Sequence, residues 1–169
     1  MPDNGAFSMD RRTMFVGLFA ALLAGPGMAS PCRPVRVLFV CPVGTVKSAI
    51  AREALRKRIA RLRLPVVVQS RGLTPENHVT PALAERLRAD GIDTTADLLK
   101  ALTADDVAHA DIVIAFDDAA LSPLLSKARA WRTPSWISNY DAARLDLSQR
   151  LDGLVTELKH APACSGHAG

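Results

Sequence analysis

Aromatic side chains make up only 5% of the 169 residues, with one tyrosine and two tryptophans. That scarcity argues against a stacking platform for single-stranded nucleic acid. Cysteine is scarce too: there are three, none in a C-x-x-C pair, which excludes a disulfide scaffold and offers no zinc-ligand spacing. The four histidines (His78, His109, His160, His167) are scattered without ligand spacing and read as surface or capping residues, so neither a metal nor a cofactor is expected. Internal repeats and low-complexity tracts are lacking. Excess charge is small, because 21 Lys and Arg against 17 Asp and Glu leave +4. This suits an anionic partner without calling for nucleic acid. What is present is ordinary: 49% apolar and 22% charged residues, enough for one globular domain.

The first 29 residues read as an export signal. Arg11 and Arg12 precede an uncharged stretch from Thr13 to Gly25, and Gly27-Met28-Ala29 supplies small residues at a cleavage point. The stretch is shorter than the ~20 apolar residues of a membrane span, so no stable span is expected after cleavage. The paired arginines admit twin-arginine export, although Asp10 and Met14 depart from that pattern. The expected location is periplasmic or secreted. An oxidising compartment permits a bridge between Cys32 and Cys164, near the two ends of the mature chain. Residues 30–160 then form the domain and 161–169 a flexible tail.

Within the domain, strand and helix patterns alternate. Val35 to Val40 is a β-branched, apolar strand. A helix runs from Ser48 with Ile50, Ala51, Ala54, Leu55, Ile59 and Leu62 on one face and Arg52 among its solvated residues; Pro65 stops it. Val66 to Val68 is a second strand. Thr80-Pro81 opens a helix that Gly91 closes, and Thr103 to Asp106 begins a short capped one. Ile112 to Ile114 is a third strand, Ala119 to Ala130 reads as a helix, and Ser135 to Ile137 as a fourth strand. Leu147, Leu151, Leu154, Val155 and Leu158 mark the last helix. The pattern predicts a three-layer α/β/α fold with a short, mostly parallel sheet of about four strands.

Ligands of such sheets bind beyond the carboxyl ends of the strands. There the chain reads Cys41-Pro42-Val43-Gly44-Thr45-Val46-Lys47-Ser48. A strand-to-helix loop of this kind can curl the amides of Val43, Gly44, Thr45, Val46, Lys47 and Ser48 into an oxyanion nest. Cys41 at its entrance would be a nucleophile facing an anion held by amides and one cation, Lys47. A buried structural cysteine followed by a tight turn fits the same residues.

The stretch Val37-Leu38-Phe39-Val40-Cys41, with a cation six residues on and Ser48 next, resembles the low-molecular-weight protein tyrosine phosphatases. It equally resembles the arsenate reductases that share their fold. The likeness continues through Ser70-Arg71-Gly72, Pro81 to Asp93, and Ala110 to Ile114. It implies that Cys41 forms a phosphocysteine, that Ser48 hydrogen-bonds its sulfur, and that the partner is a phosphate-like oxyanion or a phosphorylated ligand. The departures are specific. Lys47 replaces an arginine whose fork grips two oxygens, a geometry that a lysine point charge cannot reproduce. Gly44 replaces an asparagine. Ser138-Asn139-Tyr140 stands for the family's Asp-Pro-Tyr, which leaves Asp141 as the nearest substitute proton donor. Two such losses predict weak or lost phosphatase activity, with non-catalytic oxyanion binding as the alternative.

Arsenate reduction needs further thiols, and Ala115-Phe116-Asp117-Asp118 supplies none after the third strand. The spacing Cys41-x-x-Gly44-x-x-x-Ser48 also resembles the phosphocysteine loop of sugar phosphotransferase B subunits, whose cytosolic role conflicts with an export signal. Asp117 and Asp118 end a strand on the same edge as Cys41 and are further site candidates. Trp131 and Trp136 either wall a substrate cleft or pack in the core.

Overall fold

Strand parity organises the molecule. In the first strand, β1 (Val35–Cys41), Val37, Phe39 and Cys41 face one side of the sheet, and Leu38 and Val40 face the other. All five are buried, because helices cover both faces. The structure, a computed structural model, describes residues 33–95 and 99–161. The elements that follow β1 are α1 (Lys47–Leu62), β2 (Val66–Gly72), α2 (Pro81–Ala89), α3 (Ala104–His109), β3 (Ile112–Phe116), β4 (Arg129–Trp131) and α4 (Tyr140–His160). The strands lie in the order β2-β1-β3-β4, all parallel, so the sequence-predicted three-layer architecture holds. The expected signal segment, Cys32 and the tail from residue 162 with Cys164 and His167 lie outside the described residues.

The larger core joins the Phe39 face to α1, α2 and α4 through Ile50, Leu55, Leu83, Leu87, Leu147, Leu151 and Leu158. Each such side chain contributes roughly 1.5–3 kcal/mol by leaving water. The smaller core joins Leu38 and Val40 to Ala115, Ala119 and Leu125, with Leu102 and Val107 against it. Since β1 is flanked by β2 on one side and β3 on the other, the chain reverses direction across the sheet there. The loop after β1 therefore opens at the switch point.

Several local expectations hold. Thr80 caps α2 by accepting the Leu83 N–H, and Thr103 with Asp106 forms a complete capping box on α3. Others are corrected. The expected helix Ala119 to Ala130 is instead two single 3-10 turns, Asp117–Leu121 and Pro123–Leu125, followed by β4. Pro123 supplies no N–H, and Ser122 before it is extended at ψ 132, so no α-helix propagates through the pair. Ser135 to Ile137 is a turn, not a strand; Ser135 Oγ accepts the N–H groups of Ile137 and Ser138 instead. Helix α4 begins at Tyr140, about two turns before Leu147, because Tyr140 and Ala143 are also buried. Arg52 is not solvated: it is 3% exposed, and its guanidinium donates to Ser70 Oγ and Glu53 Oε1.

Two carboxylates tie loops to this frame. Arg71 donates to Asp106 from Nε at 2.9 Å and Nη2 at 2.6 Å, and Arg33 and the Arg36 N–H donate to Asp111. Burial pushes the Asp106 carboxyl up, but hydrogen bonds from Arg71 and Thr103 together outweigh it and hold it below the usual range. For Asp111, the Arg36 N–H and then the Arg33 guanidinium lower it. A lowered folded-state value stabilises above the unfolded-state value of ~3.9 and is lost as pH falls through the folded one. Asp106→Asn is therefore expected to reduce stability at pH 7 and to flatten the loss of stability below about pH 4. Urea titrations of both proteins at a series of pH values measure this.

Candidate active site

Cys41 is the last residue of β1 and shares the parity of Val37 and Phe39, so its side chain faces α1. The residue is 2% exposed, and its sulfur accepts the Gly44 N–H at 3.1 Å. Ser48, in the first turn of α1, places Oγ 3.1 Å from the same sulfur, and either atom can donate. Ser48 Oγ also lies 3.3 Å from the Gly44 carbonyl and 3.4 Å from the Arg71 carbonyl. When the sulfur is a thiolate, the hydroxyl proton and the Gly44 N–H both point at it. When it is a thiol, the Ser48 proton turns to a carbonyl. The arrangement accepts either protonation state without stranding a polar group.

The loop backbone is turned so that its N–H groups remain unspent. The carbonyls of Cys41, Pro42 and Val43 accept the N–H groups of Leu73, Thr74 and Glu76 at 3.2, 2.9 and 3.1 Å. Because a peptide is planar and trans, the N–H groups of Val43 and Gly44 point away from that segment. Thr45 Oγ1 donates to the Glu76 carbonyl and accepts the His78 N–H, fixing the middle of the loop. Among the described residues, the N–H groups of Val43, Thr45, Val46, Lys47 and Ser48 find no acceptor. Val46, at the N-cap of α1, supplies no side-chain cap, and the first helical turn has no acid. A helix start in this condition presents free donors and the positive end of its dipole.

Gly44 and Gly72 make the curvature possible. Gly44 sits at φ +79, and a Cβ there would lie 2.8 Å from Gly72 N. A Cβ on Gly72 would lie 2.8 Å from the Val43 carbonyl carbon. Only paired glycines let the loop and the end of β2 approach this closely.

Lys47 is engaged by residues from two other strand ends. Its ammonium donates to Asp117 Oδ2 and, at 2.8 Å, to the Thr133 carbonyl; Asp117 Oδ1 accepts the Thr133 N–H at 3.2 Å. Asp117 follows β3 and Thr133 follows β4, so three strand ends converge on Lys47. Of the two aspartates singled out in sequence, Asp117 reaches the site, while Asp118 is exposed. Asp141 has a different neighbour: its carboxylate is exposed and lies 3.8 Å from Arg86 of α2. Both tryptophans pack in the larger core, Trp131 only partly buried. Trp131 packs against Phe39 and Phe116, and Trp136, 3% exposed, meets Tyr140 edge-on. Burial, with Asp90 accepting its hydroxyl, pushes Tyr140 up to about 12.

Thr133 does not figure in the sequence pattern, and Gly72 figures there only as a landmark of the likeness, not as a site residue. Gly72 carried a signal, since a glycine ending a strand beside a tight loop marks close backbone approach. Thr133 carried none, because it acts through its backbone.

The family model described as low molecular weight phosphotyrosine protein phosphatase matches residues 36–160. No curated protein matches the chain. Among solved structures, YfkJ from Bacillus subtilis aligns with TM-score 0.62 at 19% identity, covering 76% of this chain and 97% of that one. A low molecular weight protein tyrosine phosphatase from T. tengcongensis aligns with TM-score 0.61 at 23% identity, covering 73% and 99%. An arsenate reductase in the phosphate binding state aligns with TM-score 0.58 at 20% identity, covering 73% and 98%.

Proposed function

We propose that this chain, which belongs to the low molecular weight phosphotyrosine protein phosphatase family, binds a tetrahedral oxyanion or phosphate monoester at the Cys41 loop and hydrolyses monoesters slowly. One observation supports this above the rest. The Cys41 sulfur is held by Gly44 N–H and Ser48 Oγ beside five loop N–H groups that lack acceptors among the described residues. In the reaction, the thiolate attacks phosphorus and the bond to the leaving oxygen breaks. That oxygen takes a proton, and water then hydrolyses the phosphocysteine to phosphate and free thiolate.

The slowness follows from two features. Lys47 spends two of its three donors on Asp117 and Thr133, and so offers one to the ligand where an arginine offers a fork. Asp141 faces Arg86, so in this reading the leaving oxygen draws its proton from water. A positioned general acid is typically worth ~10²–10⁴-fold. Turnover of p-nitrophenyl phosphate by the purified protein is therefore expected at least about a hundredfold below that of an arginine-bearing family member assayed alongside. Equal rates would overturn the reading.

Arsenate reduction is less well supported, because Cys41 is the only cysteine among the described residues and Asp117-Asp118 follow β3. The basic start, apolar stretch and small-residue end of residues 1–29 support export as part of the same proposal.

A further inference from the structure

The ammonium of Lys47, the residue that opens α1 directly after the loop, is already engaged. Two of its donors go to Asp117 Oδ2 and the Thr133 carbonyl, and the second Asp117 oxygen accepts the Thr133 N–H. Two further observations set this cluster apart from an ordinary surface ion pair. Asp117 is held at φ 50, in the left-handed region that costs free energy for any residue with a Cβ. Thr133 Oγ1 is buried and has no hydrogen-bond partner among the described residues, which also costs free energy. The cluster is thus a state with unspent hydrogen-bonding capacity, and Lys47 joins it to a run of five loop N–H groups in the same condition.

We infer that Asp117 is an internal counter-anion of the oxyanion site. A tetrahedral anion seated on the loop amides draws Lys47 off Asp117, so affinity is set by the exchange of one carboxylate for the ligand. This rests on the reading of the Cys41 loop as an oxyanion site. While the pair is closed, the carboxylate cancels the ammonium's field where the anion arrives. Its direct repulsion acts twice as strongly on a dianion as on a monoanion. Both partners are partly buried, with side chains 18% and 31% exposed, so water screens the exchange incompletely. Asp118, the exposed neighbour, carries the same charge outside the cluster and serves as the control.

The test is inorganic phosphate titrated into wild type, Asp117→Asn and Asp118→Asn, with affinity read from backbone amide NMR shifts. Asparagine tolerates the left-handed conformation, so the turn is retained. Asp117→Asn is expected to tighten phosphate binding about tenfold, and Asp118→Asn to change it less than about twofold, as screened charges do. Equal or weaker binding by Asp117→Asn overturns the inference, because Asp117 would then position Lys47 rather than compete for it. An equal gain in Asp118→Asn overturns it as well. If binding occurs but Asp117→Asn changes nothing, the site reading stands alone; if no variant binds, both fall. A second readout needs no variant: in wild type the Thr133 amide should shift with the same midpoint as the loop amides. A Thr133 amide unmoved at saturation contradicts the exchange.

Discussion

Cys41→Ser lowers p-nitrophenyl phosphate turnover to less than about one-thousandth of the parent rate, while phosphate still binds. The two effects separate because the residues that hold the anion are not the atom that attacks it. In the proposed reading, binding draws on the loop N–H groups and Lys47, all untouched by the substitution. Attack draws on a sulfur whose charged form receives the Gly44 N–H and the Ser48 hydroxyl, each at 3.1 Å. A serine hydroxyl at neutral pH is protonated, and among the described residues no base bonds this position, since the Gly44 N–H only donates and the Ser48 hydroxyl accepts weakly. Initial rates for both proteins, with phosphate affinity measured in parallel, test the separation. Turnover persisting in Cys41→Ser means that the chemistry lies elsewhere.

Lys47→Arg raises kcat/KM for the same substrate by about tenfold to a hundredfold. The guanidinium has five donors in a planar fork. One edge can keep Asp117 and the Thr133 carbonyl while the other meets two equatorial oxygens of the phosphoryl group. In the free protein lysine commits two of its three donors to that set, and even when drawn to the ligand it remains a point charge without a bidentate edge. Since phosphoryl transfer is catalysed by positioning and charge stabilisation, the recovered bidentate contact acts mainly in the transition state. The gain should therefore sit in kcat more than in KM. A rate that is unchanged, or lower with retained stability, would show that Lys47 is a strut between loops and does not contact the ligand.

Legibility in the sequence followed the range of the interaction. The strands β1, β2 and β3 and the helices α1, α2, α3 and α4 are carried by apolar periodicity and by caps such as Thr80 and Thr103. These are local signals. The region from Asp117 to Trp131 was misread because its alanines and leucines resemble a helix, yet Leu121 and Leu124 are exposed and Pro123 breaks the run. β4 is three residues long and exists because β3 offers an edge, so pairing rather than composition defines it. Arg52 reads as solvated because a charge on a helix normally is; Ser70 and the Thr94 carbonyl, brought in by the fold, join the adjacent Glu53 in making its burial tolerable. At the site, Cys41, Gly44 and Ser48 were legible because strand, loop and helix are contiguous. The engagement of Lys47 was not, since Asp117 and Thr133 lie 70 and 86 residues away along the chain.

The central question is where an anion lands, and amide NMR during an orthovanadate titration answers it most directly. Saturable shifts of the Val43, Gly44, Thr45, Val46, Lys47 and Ser48 amides with one shared midpoint are expected. Shifts confined to the basic face of α1 around Arg56 and Arg61, with the six loop amides unmoved at saturation, would contradict the account.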